Sequence, residues 1–140
     1  MLFEKSITIT AGTTQSDPKI EMLKIAHGII TKIMVRPRPG HAGLAHCVIL
    51  HHEHQIAPST EGMNFAGDTA PVDWVEFYEV YQPPYELKIL GWNEDDTYEH
   101  TFDIFVAILP RKGIIATAVS DVISSIVGFL TGKTVSTGGG

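Results

Sequence analysis

The hydrophobic pattern over residues 1–110 has the short period of β-structure. In "EKSITIT", Ile7 and Ile9 alternate with Ser6, Thr8 and Thr10, as in a strand with one buried face. "KIEMLKIA" and "GIITKIMVRP" follow, divided at His27 and Gly28. "LAHCVIL" is apolar on both faces, which suits a core strand, and "QIAP" is a short strand ended by Pro58. "VDWVEFYEVY" is dense in β-branched and aromatic residues. "YELKILGW" sends Leu87 and Ile89 one way and Glu86, Lys88 and Leu90 the other, and "HTFDIFVAILP" closes the series at Pro110. The breaks are "AGTTQSDP", "RPRPGHAG", "STEGMNFAGDTAP", "QPP" and "NEDDTYE", rich in residues that turn the chain or cannot donate to a ladder. About eight strands at roughly 8–12-residue spacing predict an all-β fold, an antiparallel two-sheet sandwich of jelly-roll or immunoglobulin-like type. Strand–helix alternation, a G-x-G-x-x-G turn and a Walker loop are all missing from the sequence, so a parallel nucleotide-binding sheet is not expected.

The period then changes. In "GIIATAVSDVISSIVGFLTGK", Ile115, Val119, Val122, Ile126 and Phe129 recur at helical spacing, with Thr117, Asp121, Ser124, Gly128 and Thr131 on another face. This predicts an amphipathic helix with a near-heptad seam, stopped at Gly132-Lys133; its many Ile and Val residues leave a strand as the competing reading. The apolar run from Ile114 to Leu130 contains Asp121 and falls short of the roughly 20 residues that a bilayer core needs, so membrane contact is not the favoured reading. The expected organisation is a sandwich domain over 1–112, an apolar assembly segment over 113–133 and a flexible Gly-rich tail over 134–140.

A 140-residue chain is long enough to bury a core without staples. Its net charge of −6 gives no basic footprint, which argues against direct nucleic-acid binding. Cys47 is the single cysteine, so an internal disulfide is impossible, and the start "MLFEKSITIT" lacks the pattern of a secretory signal. Synthesis in a cytosol is the expectation.

Candidate chemistry centres on "HCVILHHEH", where four of the seven histidines stand within residues 46–54. On a strand, His52 and His54 share a face with His46 further along, a ligand geometry that a residue from another strand would complete. Against a cupin-type metal site, Glu61 comes too late after His54, Gly43 stands too far upstream, and His100 is the only late histidine. The favoured reading is a polar hairpin tip formed by His51, His52, Glu53 and His54, with His46, His52 and His54 as minor metal candidates and no cofactor expected. Glu94, Asp95 and Asp96 read as turn formers before they read as calcium ligands. Asp73, Glu76 and Glu79 lack a partner acid that would define a hydrolase pair, and Cys47 reads as a core residue. Trp74, Tyr78, Tyr81, Tyr85 and Trp92 are core and interface aromatics, or else a platform for sugar stacking. No catalytic residue is expected.

"RPGHAGLAHCVIL…HQIAPST" followed by "PYELKILGWNEDDTYEHTF" resembles the small jelly-roll-like sandwich proteins among phage virion structural proteins, of the decoration (cement) and minor capsid type. The resemblance covers residues 1–110 and carries no catalytic residue. It implies a non-enzymatic virion component, made in the host cytoplasm and assembled as a homo-oligomer on a major coat-protein lattice. A trimer or pentamer would bury the seam of Ile115, Val119, Val122, Ile126 and Phe129. The rival expectations are a carbohydrate-binding sandwich and a His-ligated, cupin-like metalloenzyme.

Overall fold

A computed structural model describes residues 1–110. The seam residues Ile115, Val119, Val122, Ile126 and Phe129, the segment 113–133 and the tail 134–140 lie outside the described residues. All of the expected strands form: β1 (Leu2–Ile9), β2 (Lys19–Lys24), β3 (Gly28–Pro37), β4 (Ala45–His51), β5 (His54–Ala57), β6 (Val72–Val80), β7 (Glu86–Asn93) and β8 (His100–Leu109). They make two four-stranded sheets, ordered β1-β8-β3-β6 and β2-β7-β4-β5, and every pairing is antiparallel. Each link between consecutive strands crosses to the other sheet, except the β4–β5 hairpin. That winding, with first and last strands adjacent in one sheet, is the double Greek key of a jelly roll.

Alternation explains which residues meet inside. Ile7 and Ile9 from β1, Ile33 and Val35 from β3, and Phe102, Ile104, Val106 and Ile108 from β8 form the inner face of the first sheet. Against them stand Leu23, Cys47, Ile49, Ile56, Leu87 and Ile89 from the second. Fully burying one such aliphatic side chain is worth about 1.5–3 kcal/mol, so this layer is the main favourable contribution to folding. Cys47 belongs to it, and burial pushes its thiol far above the ordinary range, leaving an inert core residue.

One strand breaks the two-residue rule for a reason. Ile30 and Ile33 both face the core although an odd number of positions separates them. The register of β3 shifts between Ile30 and Lys32 against both neighbours: against β8, Thr31 is an extra residue that resets the phase, and against β6 the extra residue lies on β6, where Glu76 and Phe77 stand opposite Thr31. Its hydroxyl donates to the Ala107 carbonyl at 3.3 Å. Beyond this bulge Lys32, Met34 and Arg36 face outward, which sets up the surface described below.

The two layers come into tight contact at Gly91 in β7. A Cβ at that position would lie 2.5 Å from Ile9 Cδ1 and 3.2 Å from Ile7 Cδ1, inside ordinary contact. Both isoleucines are fully buried, so neither can swing into solvent. Gly91→Ala is therefore expected to cost about 1–3 kcal/mol by overpacking, and Ile9→Val in the same chain to recover part of that loss. Urea denaturation of the two single variants and the double variant measures the coupling, and strictly additive losses would refute the contact.

Candidate interaction face

The outer face of the first sheet departs from the polar surface expected of a sandwich. Strand register sets Ser6, Asp103 and Arg36 side by side on β1, β8 and β3. Asp103 has only 2% of its side chain exposed, although it stands on an outward-facing position. The Ser6 hydroxyl donates to its Oδ1 at 2.6 Å, Arg36 Nη2 to Oδ2 at 3.1 Å, and Arg38 to both oxygens, through Nη2 at 2.9 Å and Nε at 3.1 Å. Arg38 thus holds the carboxylate as a fork, the strongest arrangement open to an arginine. Arg38's hydrogen bonds first, then those of Ser6 and Arg36, hold the Asp103 carboxyl well below the usual carboxylate range, with burial working against them. Arg36 and Arg38 share this one carboxylate, and Glu4 on β1 adds a second negative charge acting on Arg38.

The neighbouring rows are apolar. Phe105 pairs with Met34, and Ala107 with Leu2 and with Lys32; together these five residues line a depression of about 200 Å³. The Arg36 guanidinium lies 5.5 Å from the centre of the Phe105 ring, a cation–π distance. On β6, at the edge of the same sheet, Val75 is 85% exposed and Phe77 65% exposed. The Lys32–Asp73 ion pair at 3.2 Å crosses this band and is well solvated. Arginine, methionine and aromatics around an apolar hollow are the side chains enriched at protein interfaces.

The histidine stretch sorts itself differently from the sequence expectation. His52 and Glu53 form the hairpin tip, with φ of 50° and 64°, the left-handed pair of a two-residue turn. Glu53 forms an ion pair with Lys88. His51, expected at the solvated tip, is instead buried: it faces inward from the end of β4, and its Nδ1 shares a 2.8 Å hydrogen bond with the Tyr78 hydroxyl. Burial, then the neighbouring His52, lowers its pKa. His46 stands at the other end of β4, stacked on Trp92, with Nδ1 on Asn64 Oδ1 at 2.7 Å and Nε2 on Glu94 Oε2 at 3.0 Å. His52 and His54 line one open cleft with His51, Tyr78 and Glu79, and His46 does not reach it. Among the described residues no group of three or more His, Cys, Asp or Glu side chains is placed to hold a metal ion.

The other candidates also disperse. Asp95 accepts the Thr97 and Tyr98 N–H groups at 2.9 and 3.2 Å and bonds His100 Nε2 at 2.9 Å, so it organises its own turn. Glu76 receives the Trp74 indole N–H at 3.0 Å, and Trp74 stacks on Phe65. Tyr81 and Tyr85 both pack on His27, whereas Trp92 is 8% exposed under His46, so the aromatics form no single platform. Asp103 and its arginines were not singled out from sequence. The available signal was a carboxylate inside "TFDIFV", at an outward-facing strand position with no compensating charge nearby in the chain.

No family model matches the chain, and no curated protein matches it. Among solved structures, the capsid asymmetric unit of the cyanophage Pam1 is similar at 12% identity over 76% of this chain and 81% of that one, with a TM-score of 0.49. Hydroxypropylphosphonic acid epoxidase from S. wedmorenis is similar at 10% identity over 76% of this chain and 43% of that one, with a TM-score of 0.38. A protein of the Bacillus endospore appendages is similar at 17% identity over 78% and 88% of the two chains, with a TM-score of 0.36. At these scores the likenesses carry no functional argument.

The clamp around Asp103 makes a pH prediction. Its folded-state pKa lies below the ordinary value near 3.8, so its contribution is complete above that value and is lost as pH falls through the folded-state pKa. Asp103→Asn is expected to cost roughly 1.5–3 kcal/mol at neutral pH and much less near pH 2. Urea melts of both proteins across the acid range check this, and a pH-independent difference would contradict it.

Proposed function

We propose that this is a non-enzymatic virion structural protein, of the decoration or minor capsid kind, that assembles as a homo-oligomer on a coat-protein lattice. The observation that carries the reading is the outer face of the first sheet. Its exposed Val75 and Phe77, its hollow beneath Met34 and Phe105, and the Arg36–Arg38 pair together make a surface better suited to a protein partner than to water. The jelly-roll winding supplies a rigid body, and the resemblance over residues 1–110 supplies the virion context. In this reading Ile115, Val119, Val122, Ile126 and Phe129 add a second apolar contact between copies, and a trimer or pentamer is the expected product.

Both β6 residues point away from the core, so Val75→Asp with Phe77→Asp leaves the sandwich intact by circular dichroism. Native mass spectrometry should then show the wild-type oligomer replaced by monomer. A wild-type chain that stays monomeric at high micromolar concentration would overturn the assembly reading.

A further inference from the structure

The link between β3 and β4, residues 38–44, is tied down along its length. The Arg38 N–H donates to the Thr101 carbonyl at 3.1 Å, the Gly40 N–H to Asp68 Oδ1 at 2.8 Å, and the Gly43 N–H to the Gly67 carbonyl at 3.2 Å. Near its middle the link turns a side chain inward. His41 is 1% exposed, its ring edge-to-face with Phe102 at 4.7 Å and 4.8 Å from the ring of His100.

Neither His41 ring nitrogen has a hydrogen-bond partner. An imidazole sealed among rings with no partner forfeits its hydration, a cost that an apolar side chain in the same seat would avoid. The groups that face it can be named. On β8 are His100, whose Nε2 bonds Asp95 Oδ2 of the next turn at 2.9 Å, and the Thr101 backbone, which falls short of hydrogen-bond geometry. From the link between β5 and β6 comes Asp68, already committed to the Gly40 N–H. On the link itself is Arg38, turned to Asp103 on the outer face of the sheet. Burial is the largest influence and lowers the His41 pKa from its ordinary 6.5; the Thr101 backbone, next in size, opposes it, His100 adds to the fall, and Asp68 opposes it last.

We propose that His41 is an acid-released latch: the neutral ring is seated beneath the β3–β4 link, and the protonated ring leaves its seat, freeing residues 38–44 and with them Arg38. A cation sealed between Phe102 and a second imidazole, with no acceptor in hydrogen-bond geometry, gains by leaving the seat. The direction follows from linkage. A base whose folded-state pKa is depressed contributes its full stability above the unfolded value near 6.5, and that stability drains away as pH falls below it. Arg38 is the forked partner of Asp103, so release loosens one corner of the outer sheet face. Acid would then weaken contact between copies, a consequence that rests on the assembly reading.

Amide hydrogen exchange of peptides spanning 38–44, corrected for the intrinsic rate, tests the latch on the full chain at about pH 7.5 and about pH 5.5. Wild-type protection is expected to fall by roughly tenfold at the lower pH, and His41→Phe, which keeps a ring in the seat, is expected to show no fall. Equal wild-type protection at both pH values overturns the proposal, as does an equal fall in His41→Phe. Should that variant fail to fold, NMR titration of the wild-type His41 ring decides: a pKa below that of a free imidazole supports the latch, and an ordinary or raised one overturns it. Native mass spectrometry of the same samples separates the two readings. Acid opening of the link in a chain that is monomeric at both pH values keeps the latch and removes the assembly role.

Discussion

Two pleated sheets can pack only where the side chains of one fit the gaps of the other, and here the limiting fit is the isoleucine pair of β1 against the bare backbone of β7. Ile7 and Ile9 occupy the space that a side chain at position 91 would need. Because β1 and β7 lie in different sheets, this is a contact between the layers. Phe102 and Asp103, adjacent on β8, take opposite faces by strand alternation, and His41 packs on the inner one. A bulge at Thr31 then decides which β3 residues see the core and which see solvent.

The electrostatics follow from the same geometry. Asp103 sits on the solvent side of β8 yet is covered by the arginines that bind it, so a charge is buried without entering the core. Arg38 begins the link whose His41 reaches through to the inner side, against the residue adjacent to Asp103. One strand, β8, therefore connects an outer charged cluster to an inner neutral ring. That strand is the physical path by which the proposed release of His41 would reach Asp103.

The strands were legible because each carries its own local signature. "GIITKIMVRP" has the bounds of β3, and the alternation of Leu87 and Ile89 against Glu86, Lys88 and Leu90 is the burial pattern observed in β7. Sheet order was not legible, since pairing β1 with β8 joins residues nearly a hundred positions apart and leaves no local trace. The histidine stretch was half legible: "HE" at the tip is a turn in both views, but the burial of His51 depends on Tyr78 of the opposite sheet. His41 was beyond reach for the same reason. Within "RPRPGHAG" nothing local says that one loop residue is folded inward.

The open flank of β6 also bears on how the chain is handled before it is used. Its hydrogen-bonding groups on that side are unmatched by any described strand, and its outer residues are among the most water-averse on the surface. An edge of this kind accepts another strand without discrimination, and repeated addition in one direction does not terminate unless the geometry closes a ring. The same strand that would permit ordered growth would therefore also permit runaway polymerisation. Concentration during synthesis, and the order in which partners meet, then become as important to the outcome as the affinity of the finished contact.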